Sequence, residues 1–189
     1  MLTHYFELRA IPQLEITETE VINQVMQSLH QVLVNHQGNI AVSFPCYNVQ
    51  RTLGGIIRLF GDEAQLQQFR TALLQQTVIN DYTLALPIAS VPTSVKGYLR
   101  LIRVNPKGQS ALRRAEKRLT AQGKWSAEVK SKMVEKWGSV HLNYPHLHFA
   151  SKSTGQHFIM WLKQQKCATA VEGTFNSYGL SKTATVPDF

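Results

Sequence analysis

The sequence predicts an α+β protein, with a ferredoxin-like βαββαβ domain over residues 1–92 and a mixed, strongly basic domain over residues 93–189. Three observations carry this. Hydrophobic periodicity in the first half switches between strand-like and helical spacing in the order strand, helix, strand, strand, helix, strand. Charge is split along the chain: residues 1–90 hold four Lys/Arg against seven Asp/Glu, net −3, whereas residues 91–189 hold sixteen against five, net +11. Composition, 43% hydrophobic and 17% charged, is that of a packed protein that folds without covalent staples.

The elements follow in order. "HYFELRAI" (4–11) sets Tyr5, Glu7 and Arg9 against Phe6, Leu8 and Ala10, the alternation of a half-buried strand. Thr17 with Glu20 three residues on makes a capping box, and Val21, Ile22, Val25, Met26, Leu29, Val32 and Leu33 then recur at helical spacing. "NIAVSFPCY" (39–47) and "LGGIIRLFG" (53–61) read as strands, with Gly54 and Gly55 marking a turn or bulge. "DEAQLQQFRTALLQQ" (62–76) opens on acids and repeats Leu66, Phe69, Leu73 and Leu74, a second amphipathic helix. "YTLALPIASV" (82–91) closes the set as an edge-like strand, because Pro87 has no N–H to give to a ladder. The third strand lacks the alternating aromatics of a base-stacking sheet, since "GGIIRLF" offers only Phe60.

In the basic half, a strand "YLRLIRV" (98–104) leads through Asn105, Pro106 and Gly108 to a helix, "SALRRAEKRLTAQG" (110–123), that Ser110 can cap. At about 100° per residue, Arg113, Arg114, Lys117 and Arg118 fall within an arc of about 140°, with Leu112 and Leu119 opposite. Such a helix can dock by its leucines and contact phosphates with its cations. The competing reading is an ordinary solvated face, with Glu116 as an intrahelical partner. One acid among five charges, and Arg103 just upstream, favour a polyanion partner, for which nucleic acid is the usual candidate. No aromatics interleave with the cations, so a double-stranded or hairpin ligand fits better than a single strand. "SAEVKSKMVEKWG" (126–138) reads as a further helix, with Val129, Met133 and Val134 packing and Lys130, Lys132 and Lys136 in solvent.

Cys46 and Cys167 stand far apart without metal or redox spacing, so a reducing cytoplasm is the expected location. The opening residues lack a signal-peptide pattern, and no apolar run has spanning length, so neither secretion nor a membrane partner is expected. Four histidines lie between residues 141 and 157, and His146 and His148 would point the same way from a strand. No carboxylate or cysteine lies within ten residues of that pair, so no metal and no other cofactor is expected. A metal-dependent nuclease on His141, His146 and His148 is a competing reading; it predicts inhibition by EDTA.

His30 is the most informative single position. With Leu29 at 0°, the apolar arc of the first helix runs from about −80° to +60°, and His30 falls near +100°, at its border. A histidine there either bonds across a seam or serves chemistry. Three stretches in the tail bear on the choice: "HFASKSTGQHF" (148–158), "FNSYGLSK" (175–182) and "VPDF" (186–189).

With "LHQ" at 29–31, "VSFP" at 42–45, "STGQHF" at 153–158 and "SYGLS" at 177–181, the chain resembles the CRISPR-associated endoribonucleases of type I-F systems, the f subtype of the sixth Cas family. The likeness is strongest over the first fifty residues or so and the last forty. It implies a ferredoxin-like domain joined to a second domain with an arginine-rich helix. It also implies binding of the CRISPR repeat hairpin, cleavage at the 3′ base of its stem, and retention of the product as a subunit beside other type I-F Cas proteins. Position by position, His30 matches the catalytic histidine, Ser151 the serine that holds the attacking 2′-hydroxyl, and Tyr178 the tyrosine that orients the imidazole. Phe158 matches an aromatic that stacks on the terminal base pair, and Arg103 an arginine that contacts a base. Asn105 stands where the family carries glutamine beside that arginine. Lys107, Ser153, Thr154 and Gln156 join Arg113, Arg114, Lys117 and Arg118 as expected RNA contacts. Tyr178, beside Gly179, is expected to hold one imidazole nitrogen so that the other faces the RNA. A noncatalytic hairpin-binding subunit on the same scaffold stays open as an alternative.

Overall fold

Thr17 starts the first helix as its side chain dictates. In the computed structural model the hydroxyl accepts the Glu20 N–H, and the Glu20 carboxylate accepts in return from the Thr17 N–H at 2.9 Å. The structure describes residues 2–11, 13–36, 38–48, 52–105, 109–138, 143–150 and 155–189. Expected functional positions Lys107, Ser151, Ser153 and Thr154, and His141 of the metal reading, lie outside them.

The protein is α+β, with two antiparallel sheets. Strands β1 (His4–Ala10), β2 (Ala41–Ser43), β3 (Ile56–Gly61) and β4 (Thr83–Ala85) make the first, in the order β2-β3-β1-β4, and β5 (Ala89–Ser90) also pairs with β1. The expected closing strand at 82–91 is therefore two short pieces, with Pro87 in the gap where the ladder needs a donor. Helices α1 (Glu18–Leu33) and α2 (Glu63–Leu73) match the two amphipathic patterns, and a 3-10 turn (Val34–His36) follows α1. A short helix α3 (Thr77–Tyr82) was not anticipated. β6 (Gly97–Val104), β7 (His146–Ala150), β8 (His157–Cys167) and β9 (Val186–Asp188) form the second sheet, in the order β7-β8-β6-β9.

Two compact units result, one of residues 1–103 with 144–189 and one of residues 104–143. The last strands of the chain pack in the same unit as the first sheet. All seven apolar residues expected on α1 are buried, each worth roughly 1.5–3 kcal/mol for the larger side chains. The cluster they enter continues through Leu101, Leu147, Phe149, Met160, Leu162 and Leu180, so α1 is gripped by both sheets. The smaller unit contains α4 (Gln109–Ala121) and α5 (Ala127–Gly138). α4 starts at Gln109, so Ser110 lies inside the helix and not at its cap. Ser126 does accept the Val129 N–H, at 3.2 Å. Val134, expected to pack, is 49% exposed; Val129 and Met133 are half-buried.

The outer face of β1 departs from the half-buried expectation. Glu7 is only 4% exposed, because Phe60, Leu99, Phe175 and Val186 form a second cluster on that side, with Tyr5 and Phe189 packed against it. Burial pushes the Glu7 carboxyl up, but hydrogen bonds and charge from Arg58 and Arg9 outweigh it and hold the group below its ordinary range. Arg58 donates to Glu7 at 2.9 and 2.7 Å and to the Phe189 backbone oxygen at 2.9 Å, and lies 4.0 Å over the Phe189 ring. Glu7→Ala is expected to cost about 3–5 kcal/mol in denaturant unfolding, since it takes from an 11% exposed guanidinium its counter-charge and two of its hydrogen bonds. With the folded value lowered, the contribution of Glu7 is complete above the ordinary carboxylate range and is lost as pH falls through the folded value. The wild type should therefore lose stability in acid more steeply than Glu7→Ala does.

Candidate active site

His30 is the last basic residue of α1, one position past buried Leu29, and its ring is half-buried. Nδ1 lies 2.7 Å from the backbone oxygen of Ser177. A carbonyl oxygen can only accept, so Nδ1 carries the hydrogen and Nε2 of the neutral ring carries the lone pair. Tyr178 lies flat against the same imidazole, ring centroids 3.9 Å apart and planes at 4°. Tyr178 thus orients the ring by stacking, and the nitrogen it was expected to hold is held instead by the main chain of its neighbour. The reason is local geometry: a phenol stacked face to face cannot also aim its hydroxyl at a nitrogen in the plane of the ring beneath it.

The turn that delivers these groups is tied internally. The Asn176 side chain accepts from the Tyr178 N–H at 2.9 Å and the Leu180 N–H at 3.2 Å, and the Gly179 N–H bonds the Asn176 oxygen at 2.8 Å. Gly179 has φ +71° and passes its carbonyl oxygen to the Val42 N–H at 2.9 Å, which links the turn to β2. Burial raises the Tyr178 phenol above its ordinary value, with the positive charge of Arg103 opposing. The phenol is therefore a neutral group at neutral pH.

An aromatic relay connects this pair to the end of β6. Phe149 meets both rings edge-on, at 6.1 Å from His30 and 5.2 Å from Tyr178. Phe158 stacks on Phe149 at 5.5 Å and 11°, and the Arg103 guanidinium sits 5.1 Å from the Phe158 centroid. Thus His30, Tyr178, Phe158 and Arg103, drawn from residues 30 to 178, share one end of the larger unit. Gln156 is exposed just before β8. In the smaller unit Asn105, Arg113, Arg114, Lys117 and Arg118 are all exposed, while Leu112 is 8% exposed and Leu119 half-buried, the sidedness expected of α4.

Several contributors were missed. The Ser177 carbonyl and Phe149 had no signal in residue type. Asn23 and Gln27 did have one, lying within about 60° of His30 on the helical wheel; the first bonds the backbone of His148 and the second that of Ala150. His146 and His148 do share one side of β7, ring centroids 5.1 Å apart, with His146 against Trp161 at 4.4 Å. No group of three or more metal-ligating side chains occurs among the described residues, and no helix among them is long and apolar enough to cross a membrane.

Comparison with known proteins gives a consistent result. A family model described as CRISPR-associated protein (Cas_Csy4) matches residues 5–189. The chain is 32% identical over 192 residues to a protein of Escherichia coli (strain UTI89 / UPEC) named CRISPR-associated endonuclease Cas6/Csy4, covering 100% of both. It is 31% identical over 193 residues, again with 100% of both covered, to a protein of the same name from Pseudomonas aeruginosa (strain UCBPP-PA14).

Proposed function

Because this chain belongs to the CRISPR-associated Csy4 family, we propose that it is a metal-independent endoribonuclease that cuts the CRISPR repeat hairpin at the 3′ base of its stem. The observation that carries the reading is the 2.7 Å contact of His30 Nδ1 with the Ser177 oxygen, since a hydrogen donated there leaves Nε2 as a proton acceptor. Nε2 takes the proton of a ribose 2′-hydroxyl, the 2′-oxygen bonds to the adjacent phosphorus, and the bond from phosphorus to the 5′-oxygen breaks. The products are a 2′,3′-cyclic phosphate and, once the leaving oxygen is protonated, a 5′-hydroxyl. Nothing in this sequence of bonds requires a metal, since the nucleophile belongs to the substrate and the protein's task is alignment.

Ser151 is assigned to hold the nucleophile and Tyr178 to fix the imidazole. Phe158 and Arg103 receive the base of the stem, an aromatic face beside a guanidinium. The exposed cations of α4, with Asn105, Lys107, Ser153, Thr154 and Gln156, supply contacts to the RNA, most of them to phosphates. The order β2-β3-β1-β4 supports reading the first sheet with α1 and α2 as ferredoxin-like. After cutting, the protein keeps the stem and serves as a subunit of a cytoplasmic type I-F complex.

The test begins by sequencing the RNA that co-purifies with the protein and synthesising its repeat. In EDTA the wild type should cut this RNA once and leave a cyclic phosphate, and a single 2′-deoxy substitution at the cut should give RNA that binds but stays whole. Cutting that stops in EDTA, or that persists on the deoxy substrate, would sink the mechanism. Binding with no cutting at all would leave the hairpin-binding subunit in its place.

A further inference from the structure

The edge of the second sheet that faces α1 is read out by two amides of that helix. β7 pairs on one side with β8, in the register His148↔Ile159 and Ala150↔His157. Its free side is not left to water. The Asn23 Oδ1 accepts the His148 N–H at 2.9 Å; the Gln27 Oε1 accepts the Ala150 N–H at 3.1 Å, and the Gln27 Nε2 donates to the Ala150 oxygen at 2.7 Å. One carboxamide thus satisfies both backbone groups of Ala150, as a neighbouring strand would.

The spacings agree. Four residues of helix rise about 6.0 Å, and two residues of strand about 6.6–6.8 Å, so positions 23 and 27 can meet positions 148 and 150 in step. Three residues beyond Gln27, about 4.5 Å along the same helix, comes His30. Beside Ala150 on β7 is Phe149, whose ring meets that of His30 edge-on at 6.1 Å.

We infer that Gln27 is a positioning residue for the reaction: by clamping Ala150 it fixes the end of β7, and with it the Phe149 ring that meets His30 edge-on, relative to the helix that carries His30. The inference rests on the ribonuclease reading above, and it concerns alignment of the imidazole, not contact with RNA. A misplacement of the base by about 1 Å costs up to roughly a hundredfold in rate. RNA affinity, set by cations and stem contacts elsewhere, should not follow.

The experiment measures single-turnover cleavage and RNA affinity in EDTA, using the synthetic repeat and the full chain. Gln27→Met keeps the side chain's length and removes both hydrogen bonds; its saturating rate should fall roughly ten- to a hundredfold, with RNA affinity within about twofold of wild type. Gln27→Glu keeps the acceptor for the Ala150 N–H but sets an oxygen against the Ala150 carbonyl, and should also lose rate. It carries the test if the methionine variant does not fold. Asn23→Ala removes one bond of the same seam instead of two, farther along α1 from His30, and should cost much less rate. A Gln27 variant that cuts at the wild-type rate, or whose rate loss equals its loss of affinity, overturns the inference. So do Asn23 and Gln27 variants whose rates fall together with their melting temperatures. Failure of the underlying reading looks different: the wild type does not cut in EDTA, or His30→Ala cuts as well as wild type, whatever the Gln27 variants do.

Discussion

Replacing His30 by alanine is expected to lower the single-turnover cleavage rate by at least about 10²–10⁴-fold, the range lost with a positioned general base. Affinity for the uncut hairpin should stay within about twofold. The separation follows from where the residue sits. Its ring is half-buried, with one nitrogen tied to the Ser177 oxygen, one face on Tyr178 and an edge against Phe149. In the proposed reaction it moves a proton, while the cations that would hold phosphates lie on α4. Gel-shift titration and a quench series on the same RNA measure the two quantities. A variant that cuts at the wild-type rate would mean that another group removes the 2′-proton.

Gly179→Ala is expected to destabilise the protein by about 2–5 kcal/mol and to depress cleavage beyond what the loss of folded protein explains. Two costs add. A non-glycine residue in the left-handed region costs roughly 1–2 kcal/mol, and Gly179 sits there at φ +71°. A Cβ at this position would stand 2.3 Å from the Val42 Cγ2 and 3.0 Å from the Val42 N, an overlap typically worth another 1–3 kcal/mol, approximately. Relief requires the turn to back away from β2, and the turn carries both the Ser177 oxygen and the Tyr178 ring. Thermal melting and the cleavage rate at a temperature where both proteins are folded separate the two effects. Equal melting points for variant and wild type would refute the strain.

What could be read from the sequence was what neighbouring residues decide among themselves. The capping box at Thr17 and Glu20 and the apolar stripe of α1 follow from side chains within one or two turns of each other, and His30 was placed correctly at the border of that stripe. Physics that depends on distant segments was not readable. Glu7 alternates as a solvent-facing residue does, yet it is buried because residues 175–189 cover the outer face of the first sheet. The closing strand broke at Pro87, a residue whose effect was foreseen but whose consequence, two pieces on β1, was not. At the site, the residue types pointed to His30 and Tyr178, but the partner of the imidazole is a main-chain oxygen, and every residue has one. Ring stacking in place of a phenol hydrogen bond is likewise a matter of angle, which composition does not carry.

The bond between His30 and Ser177 joins positions 147 apart in sequence, which gives the proposed catalytic group a history as well as a geometry. On a ribosome adding roughly 5–20 residues per second, the histidine leaves the exit tunnel many seconds before its carbonyl partner has been made. In nascent chains and truncated fragments the proposed base therefore lacks its carbonyl partner, which arrives late, with some of the most non-local closures that the topology demands. Such timing would spare cellular transcripts from half-made enzyme.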